Sequence, residues 1–274
     1  MRKRIVGSLA VIACVLLFRT QAYAEVLGKW DFDQGSGTTL SDVSGNGNTG
    51  ILQNMTDSNW VTGVSGHALS FNGVNQWVNF PTTSGAIHSL SGAMTVELWL
   101  KANAGDQVGN VSLIFDKSHG FYGHNGWCLQ YMKDDQTLQF AFGRLDGWSE
   151  VRANNVFDGK WHHVAGTYDM SDLKLYIDGN LKASQPNRLE QNTNDQPLEM
   201  GSSLYAGTRY RYFAGSLDDA ALYNVALDAS IIKQHATVTP EPASMLLFGV
   251  GGLAMVSMKN RKRKPIADRG PKLQ

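Results

Sequence analysis

The sequence predicts an all-β domain, an antiparallel two-sheet jelly-roll sandwich, flanked by an N-terminal signal helix and a C-terminal transmembrane helix. Three observations carry this. Between residues 25 and 238, short apolar or alternating runs are separated by clusters of Gly, Asn, Asp and Ser. The run Met94-Thr95-Val96-Glu97-Leu98-Trp99-Leu100 sets Met94, Val96, Leu98 and Leu100 on one face at a period of two. A helical pattern is confined to 228–235, where Asp228 is placed to cap it.

In chain order, the first element is an address. Arg2, Lys3 and Arg4 precede an apolar run at 5–18, which leads to Ala22-Tyr23-Ala24. This is the layout of a secretory signal peptide over 1–24, with cleavage between Ala24 and Glu25. Val11-Ile12-Ala13-Cys14 also looks like a lipoprotein box, but the apolar run continues to Phe18, past where such a cut would fall. The strands expected in the body are 26–32, 67–71, 77–80, 94–100, 112–115, 127–132, 138–142, 161–168 and 173–177, with weaker candidates at 198–201 and 220–223. No long linker or charge run interrupts 25–238, so this stretch is read as one domain. Asp178-Gly179 fits a hairpin turn.

Composition excludes some classes of function. The chain has 274 residues, 42% of them apolar, enough for a sizeable core. Its formal charge of +0 conceals basic ends: residues 25–240 hold 13 basic and 22 acidic residues. An acidic body argues against a nucleic-acid partner, because phosphate binding needs a basic face. Of two cysteines, only Cys128 follows the leader, so an internal disulfide is impossible. It reads as a small buried hydrophobe in a strand.

The C-terminus has three parts over 239–264: Pro240-Glu241-Pro242, an apolar segment at 243–258, and Lys259 to Lys264 with five basic residues in six. As a helix the apolar segment is roughly 24 Å long, short of the ~20 residues of a typical span. The basic cluster would hold its end in the cytoplasm. A buried core helix is the weaker alternative, since Gly249, Gly251 and Gly252 disfavour a helix in water. A short basic tail, 265–274, follows. The order of the three parts resembles the PEP-CTERM sorting signal. That resemblance implies export in a Gram-negative bacterium, inner-membrane anchoring through 243–258, processing by an exosortase-type enzyme near Pro240-Glu241-Pro242, and release to the cell surface or extracellular matrix. The tail departs from the family, which usually ends soon after its basic cluster.

Several phrases of the body carry a second resemblance. They are Trp30-Asp31-Phe32-Asp33, Asp42-x-Ser44-Gly45-Asn46-Gly47-Asn48, Gly66-x-Ala68-Leu69-x-Phe71-Asn72-Gly73, Thr95-Val96-Glu97-x-Trp99, Trp161-His162-His163-Val164-Ala165-Gly166-Thr167-Tyr168, Leu173-x-Leu175-Tyr176-x-Asp178-Gly179 and Gly215-x-Leu217-Asp218-Asp219. In this order, from Trp30 to Ile232, they resemble the concanavalin A-like, LamG-like jellyroll family (laminin G-type group 3). The resemblance is specific for fold and weak for function.

The Asp42–Asn48 loop offers oxygens to a hard cation, and calcium wants six to eight. Asp42, Asn46, Asn48, Asp218 and Asp219 are therefore the candidate ligands of a structural Ca2+. Adjacent carboxylates repel unless a cation or donors compensate, and some members of the family hold calcium at such a junction. The alternative is that Asp42 and the asparagines bond only their own turn and that Asp218 is solvent-exposed. His162 and His163, adjacent in a strand, point to opposite faces and do not share a metal. One is expected to be packed and the other exposed.

Trp30, Trp99 and Trp161 lie inside strand phrases and are expected in the core. Trp60, Trp127 and Trp148 lie in or beside Gly/Asp/Asn-rich stretches. A flat ring beside polar side chains suits a sugar. Tyr122, Asn125, Trp127, Asp146, Trp148 and Tyr210 form the candidate ligand patch, with ordinary core or edge packing as the alternative for each. No strand carries the paired acids of a retaining glycosidase; Glu97 stands alone in its strand, and Glu150 has no acidic partner on its face. The sequence thus favours a non-catalytic module binding a polysaccharide or cell-surface glycan. A structural matrix protein without a specific sugar is the alternative, and a glycoside hydrolase or lyase is less favoured.

Overall fold

A computed structural model describes residues 25–81, 87, 90, 92–118, 124–144, 147–186, 194 and 196–237. Ala22 and Ala24, the Pro240-Glu241-Pro242 motif and the apolar segment 243–258 lie outside the described residues. Among the described residues no helix is long and apolar enough to cross a membrane.

The first strands are β1 (Val26–Trp30), β2 (Thr39–Leu40), β3 (Gly50–Gln53), β4 (Trp60–Thr62), β5 (His67–Asn72) and β6 (Trp77–Phe80). The middle of the chain forms β7 (Met94–Asn103), β8 (Val111–Ser118), β9 (Gly126–Met132), β10 (Thr137–Arg144), β11 (Gly147–Ala153) and β12 (Asp158–Tyr168). Then come β13 (Asp172–Ile177), β14 (Asn180–Pro186), β15 (Leu198–Met200), β16 (Ser203–Tyr205), β17 (Thr208–Tyr210), β18 (Ala214–Tyr223) and the helix α1 (Ala229–His235).

Two large sheets form from antiparallel pairings. Sheet I runs β14-β13-β12-β7-β18-β5-β4, with β1 also against β18. Sheet II runs β11-β10-β9-β8-β15-β6-β3-β2. The all-β sandwich expectation holds.

The core lies between the sheets. On β7, Met94, Val96, Leu98 and Leu100 are fully buried, as their period of two dictates. Leu129, Phe140 and Phe142 face them from sheet II. Trp30 sits among Phe80 and Phe115, at 4.7 and 5.8 Å between centroids. Its indole N–H donates to the Asn48 carbonyl at 2.9 Å, which satisfies its one polar atom. At Gly166 a Cβ would lie 2.7 Å from Phe140 Cγ, so the sheets approach through a position that only glycine fits. Gly166→Ala is expected to destabilise the fold by about 1–3 kcal/mol by overpacking. Denaturant unfolding checks this, and an unchanged midpoint would refute the close packing.

Asp178 (φ 52°) and Gly179 (φ 71°) form the two-residue turn of the β13–β14 hairpin, as an Asp-Gly pair favours. Helix α1 begins after Asp228, whose carbonyl accepts from the N–H groups of Ile231 and Ile232; its side chain makes no cap. Ile232 and the preceding Leu227 pack on Ala165, Tyr176, Ala221 and Tyr223, closing a small second core on the outer face of sheet I.

Candidate functional site

The outer face of sheet II is built by alternation. The same strands that send Leu129, Tyr131, Phe140, Phe142 and Val151 inward turn Cys128, Gln130, Gln139, Ala141, Trp148 and Glu150 outward. Leu113, Cys128 and Ala141 make a buried apolar floor, and Trp148 packs against it. The hairpin β16–β17 covers the neighbouring part of this face. It is held there by an Arg209–Glu199 ion pair, by the Arg209 guanidinium over Trp77 at 4.6 Å, and by the Leu113 N–H donating to the Arg211 carbonyl at 2.9 Å. A cleft of about 160 Å3 remains over β8 to β11, with Trp148, Glu150, Arg152 and Arg211 among its walls.

A polar ladder crosses this cleft. The Gln130 amide donates to Gln139, the Gln139 amide donates to Glu150, and Arg152 donates through Nε to Glu150 Oε1 at 3.0 Å and also to Asp135. Donors and acceptors thus alternate above an apolar floor beside an indole. Such a surface can bond paired hydroxyls while a ring stacks on Trp148.

At one end of the cleft, the backbone of His124 and Asn125 passes so close to Gly143 that a Cβ there would meet His124 C and Asn125 N at 2.3 Å. Gly143 pairs with Trp148, and the His124 ring meets the Trp148 ring edge-on at 6.3 Å. Asn125 Oδ1 is buried with no hydrogen-bond partner among the described residues. Arg211, which lines the cleft, sets its guanidinium over the Tyr210 ring at 5.0 Å. Of the candidate patch, Trp148 lines the cleft, and Asn125 and Tyr210 lie beside residues that flank it. Tyr122 and Asp146 lie outside the described residues.

Trp127 is a correction. It is 0% exposed and packs in the core against Phe115 at 5.5 Å, because its place on β9 puts it on the inward face, so it cannot meet a ligand. Trp99 and Trp161 are corrected in the opposite sense: both are half-buried on the outer face of sheet I, not in the core. Trp60 is buried, and its indole donates to the Gly37 carbonyl at 3.2 Å.

Of the five residues expected to bind calcium, four engage in hydrogen bonds through their side chains: Asp42, Asn46, Asn48 and Asp218. Asp42 Oδ1 accepts from the N–H groups of Lys29 (3.1 Å) and Ser44 (2.8 Å), and Oδ2 accepts from Asn48 (2.8 Å). These bonds outweigh burial and hold its carboxyl below the ordinary range. The Asn46 and Asn48 amides donate to the Val26 and Leu27 carbonyls, which staples the loop to β1. Asp218 is 0% exposed, against the alternative that it meets solvent. Its carboxylate accepts from Val64 (2.8 Å), Ser65 (3.4 Å) and Asp219 (2.8 Å). Burial, then the Asp219 charge, pushes it up to about 7. Among the described residues no three His, Cys, Asp or Glu side chains come together to hold a metal. A stabilising calcium site would raise the melting temperature by more than about 2 °C when excess calcium is added.

His162 and His163 take opposite faces as expected. His163 is packed at 2% exposure. His162 is not exposed but bracketed, by Asp178 at 2.9 Å and Asp158 at 3.1 Å. The Cys128 thiol is buried, which pushes its pKa well up and leaves it a packing residue.

One juxtaposition is invisible along any single strand. Asp116 and Glu199 are direct partners across β8 and β15. Both are sealed, at 3% and 1% exposure, with Asp116 bonded to Ser118 and Glu199 to Ser202 and Arg209. They are not placed to touch a substrate. Burial pushes the Asp116 carboxyl up to about 6. The folded state therefore holds this proton more tightly than the unfolded chain. The stability it lends is full below the ordinary aspartate range and is lost as pH rises through about 6. Asp116→Asn is expected to flatten that part of the pH–melting curve by on the order of 3 kcal/mol between pH ~4 and ~7. Parallel curves for the two proteins would contradict it.

A profile of the concanavalin A-like lectin/glucanases superfamily matches residues 71–233, more than half of the chain. The chain belongs to this superfamily. A second profile, the PEP-CTERM protein-sorting motif, matches residues 238–263 and assigns the C-terminal segment. The lectin-like domain is 25% identical over 175 residues to the non-toxic nonhemagglutinin type A of Clostridium botulinum, covering 62% of this chain and 14% of that protein. Domain 4 of AbnA, an extracellular arabinanase of Geobacillus stearothermophilus solved with arabinotriose, matches with TM-score 0.59 and 20% identity, over 78% of this chain and 99% of that one. The binding domain of Paraclostridial Mosquitocidal Protein 1 matches with TM-score 0.61 and 17% identity, over 77% and 52%. This chain thus spans about half of that binding domain and a small part of the curated relative. At these identities the structures establish the fold.

Proposed function

We propose that the protein is an exported, non-catalytic surface or matrix component whose sheet II cleft binds a polysaccharide. The observation that carries this is the ladder Gln130–Gln139–Glu150–Arg152 above an apolar floor beside Trp148. The charges in and beside the cleft balance, since Glu150 and Asp135 offset Arg152 and Arg211. That balance favours an uncharged glycan over an acidic one. The arabinotriose complex of the AbnA domain supports a sugar on this fold. The sorting motif supports passage through the inner membrane, processing by an exosortase-type enzyme near Pro240-Glu241-Pro242, and delivery to the surface of a Gram-negative bacterium. A glycan array probed with the purified protein tests the reading. Retention of at least one neutral oligosaccharide is the expected result, and failure to bind any glycan, matrix polysaccharide included, would overturn it.

A further inference from the structure

The outer face of sheet I carries a second pocket, of about 180 Å3, beside helix α1. Its floor is Glu97, 4% exposed on β7. Glu97 Oε1 accepts from the Tyr223 hydroxyl at 2.8 Å and lies 2.8 Å from His235 Nδ1; Oε2 lies 3.4 Å from His163 Nε2. Burial opposes its charge, but the two histidines prevail and hold it at about 2. This trio closes α1 onto the sheet, and a structural role would need no more.

The walls are not explained by that closure. Lys29 and Asp219 line the pocket, and neither side chain makes a hydrogen bond among the described residues. Asp219 sits at φ 44°, where the register of β18 on β7 slips. A non-glycine residue in this region stores strain, which bulges spend on re-aiming a side chain. Trp99 forms a third wall, half-buried with its ring edge-on to His163 at 5.5 Å. His163 Nδ1 is buried with no partner among the described residues. The pocket therefore offers an indole, an ammonium donor and a carboxylate acceptor, with Lys29 and His235 opposing Glu97 and Asp219 in charge. A free anion or cation would meet a group of its own sign. A ring bearing both donor and acceptor hydroxyls would not.

We propose that this pocket is a second sugar subsite, taking one uncharged pyranose residue, so that a single molecule holds glycan on both outer faces of the sandwich. It extends the polysaccharide reading of the cleft but stands on different residues. The test follows tryptophan indole N–H signals by NMR in the purified protein, titrated with methyl glycosides of glucose, galactose, mannose and xylose. The expected result is a saturable shift of the Trp99 indole with at least one glycoside, equal in wild type and Trp148→Ala. Lys29→Ala, at an exposed position, should weaken it about tenfold while the fold persists. Shifts confined to the Trp148 indole would overturn the second site and leave the cleft standing. No Trp99 shift with any of the four glycosides would overturn it as well. A Trp99 shift without a Trp148 shift would support it and count against the cleft.

Discussion

Trp127→Ala is expected to cost about 3–5 kcal/mol of folding stability, the range for removing a large aromatic from a packed core. The side chain is fully buried and meets Phe115 within the layer between the sheets. For a domain of this size such a loss lowers the melting temperature by about 10 °C or more. Thermal unfolding followed by circular dichroism checks it. A melting temperature within about 2 °C of wild type would contradict the burial.

Trp148→Ala, twenty-one residues further on, is expected to do the reverse. The indole lies on the outer face against Leu113, Cys128 and Ala141, so its loss should leave the melting temperature close to wild type. Binding should suffer instead. Removing a central aromatic anchor costs about 2 kcal/mol or more, roughly 30-fold in affinity. Calorimetry with the strongest neutral oligosaccharide from an array measures this directly. Unchanged affinity would place the ligand elsewhere. The two variants together separate a tryptophan that builds the fold from one that serves it.

The difference between these residues explains how much the sequence discloses. Strand β7 is legible because Met94, Val96, Leu98 and Leu100 mark one face unambiguously. Strand β14 (Asn180–Pro186) is not, because it is an edge strand whose side chains are nearly all exposed and show no apolar alternation. The short strands β2, β3 and β4, strand β11 and the β16–β17 hairpin were hidden for want of a marked apolar face. Alternation also says which residues share a face but not which face is inward when both carry aromatics. That is why the sequence points Trp127 outward and Trp99 and Trp161 inward.

Sites fare worse than strands, because they are made across strands. Asn125, Trp148 and Tyr210 are candidates from local context alone, an aromatic or amide beside turn residues. The ladder from Gln130 to Arg152 had no such signal, since each member is an ordinary polar residue until β9, β10 and β11 align. Asp116 meets Glu199 only through the pairing of β8 with β15. Glu97 and His235 are 138 residues apart in the chain. The oxygens of the Asp42–Asn48 loop are hard to place from sequence for a related reason. An Asp-and-Asn-rich loop has the same composition whether its oxygens face a cation or its own N–H groups, and here Asp42 faces the N–H groups of Lys29, Ser44 and Asn48.

Bound glycan is expected to lie in the sheet II cleft. Hydroxyl-radical footprinting of the protein, with and without a saturating neutral polysaccharide, addresses it residue by residue. Met132 and Trp148 line the cleft and are readily oxidised, while Met170 is 48% exposed and does not line it. The expected result is protection of Met132 and Trp148 on binding with Met170 unaffected. Equal oxidation of Met132 and Trp148 in the free and bound protein would contradict it.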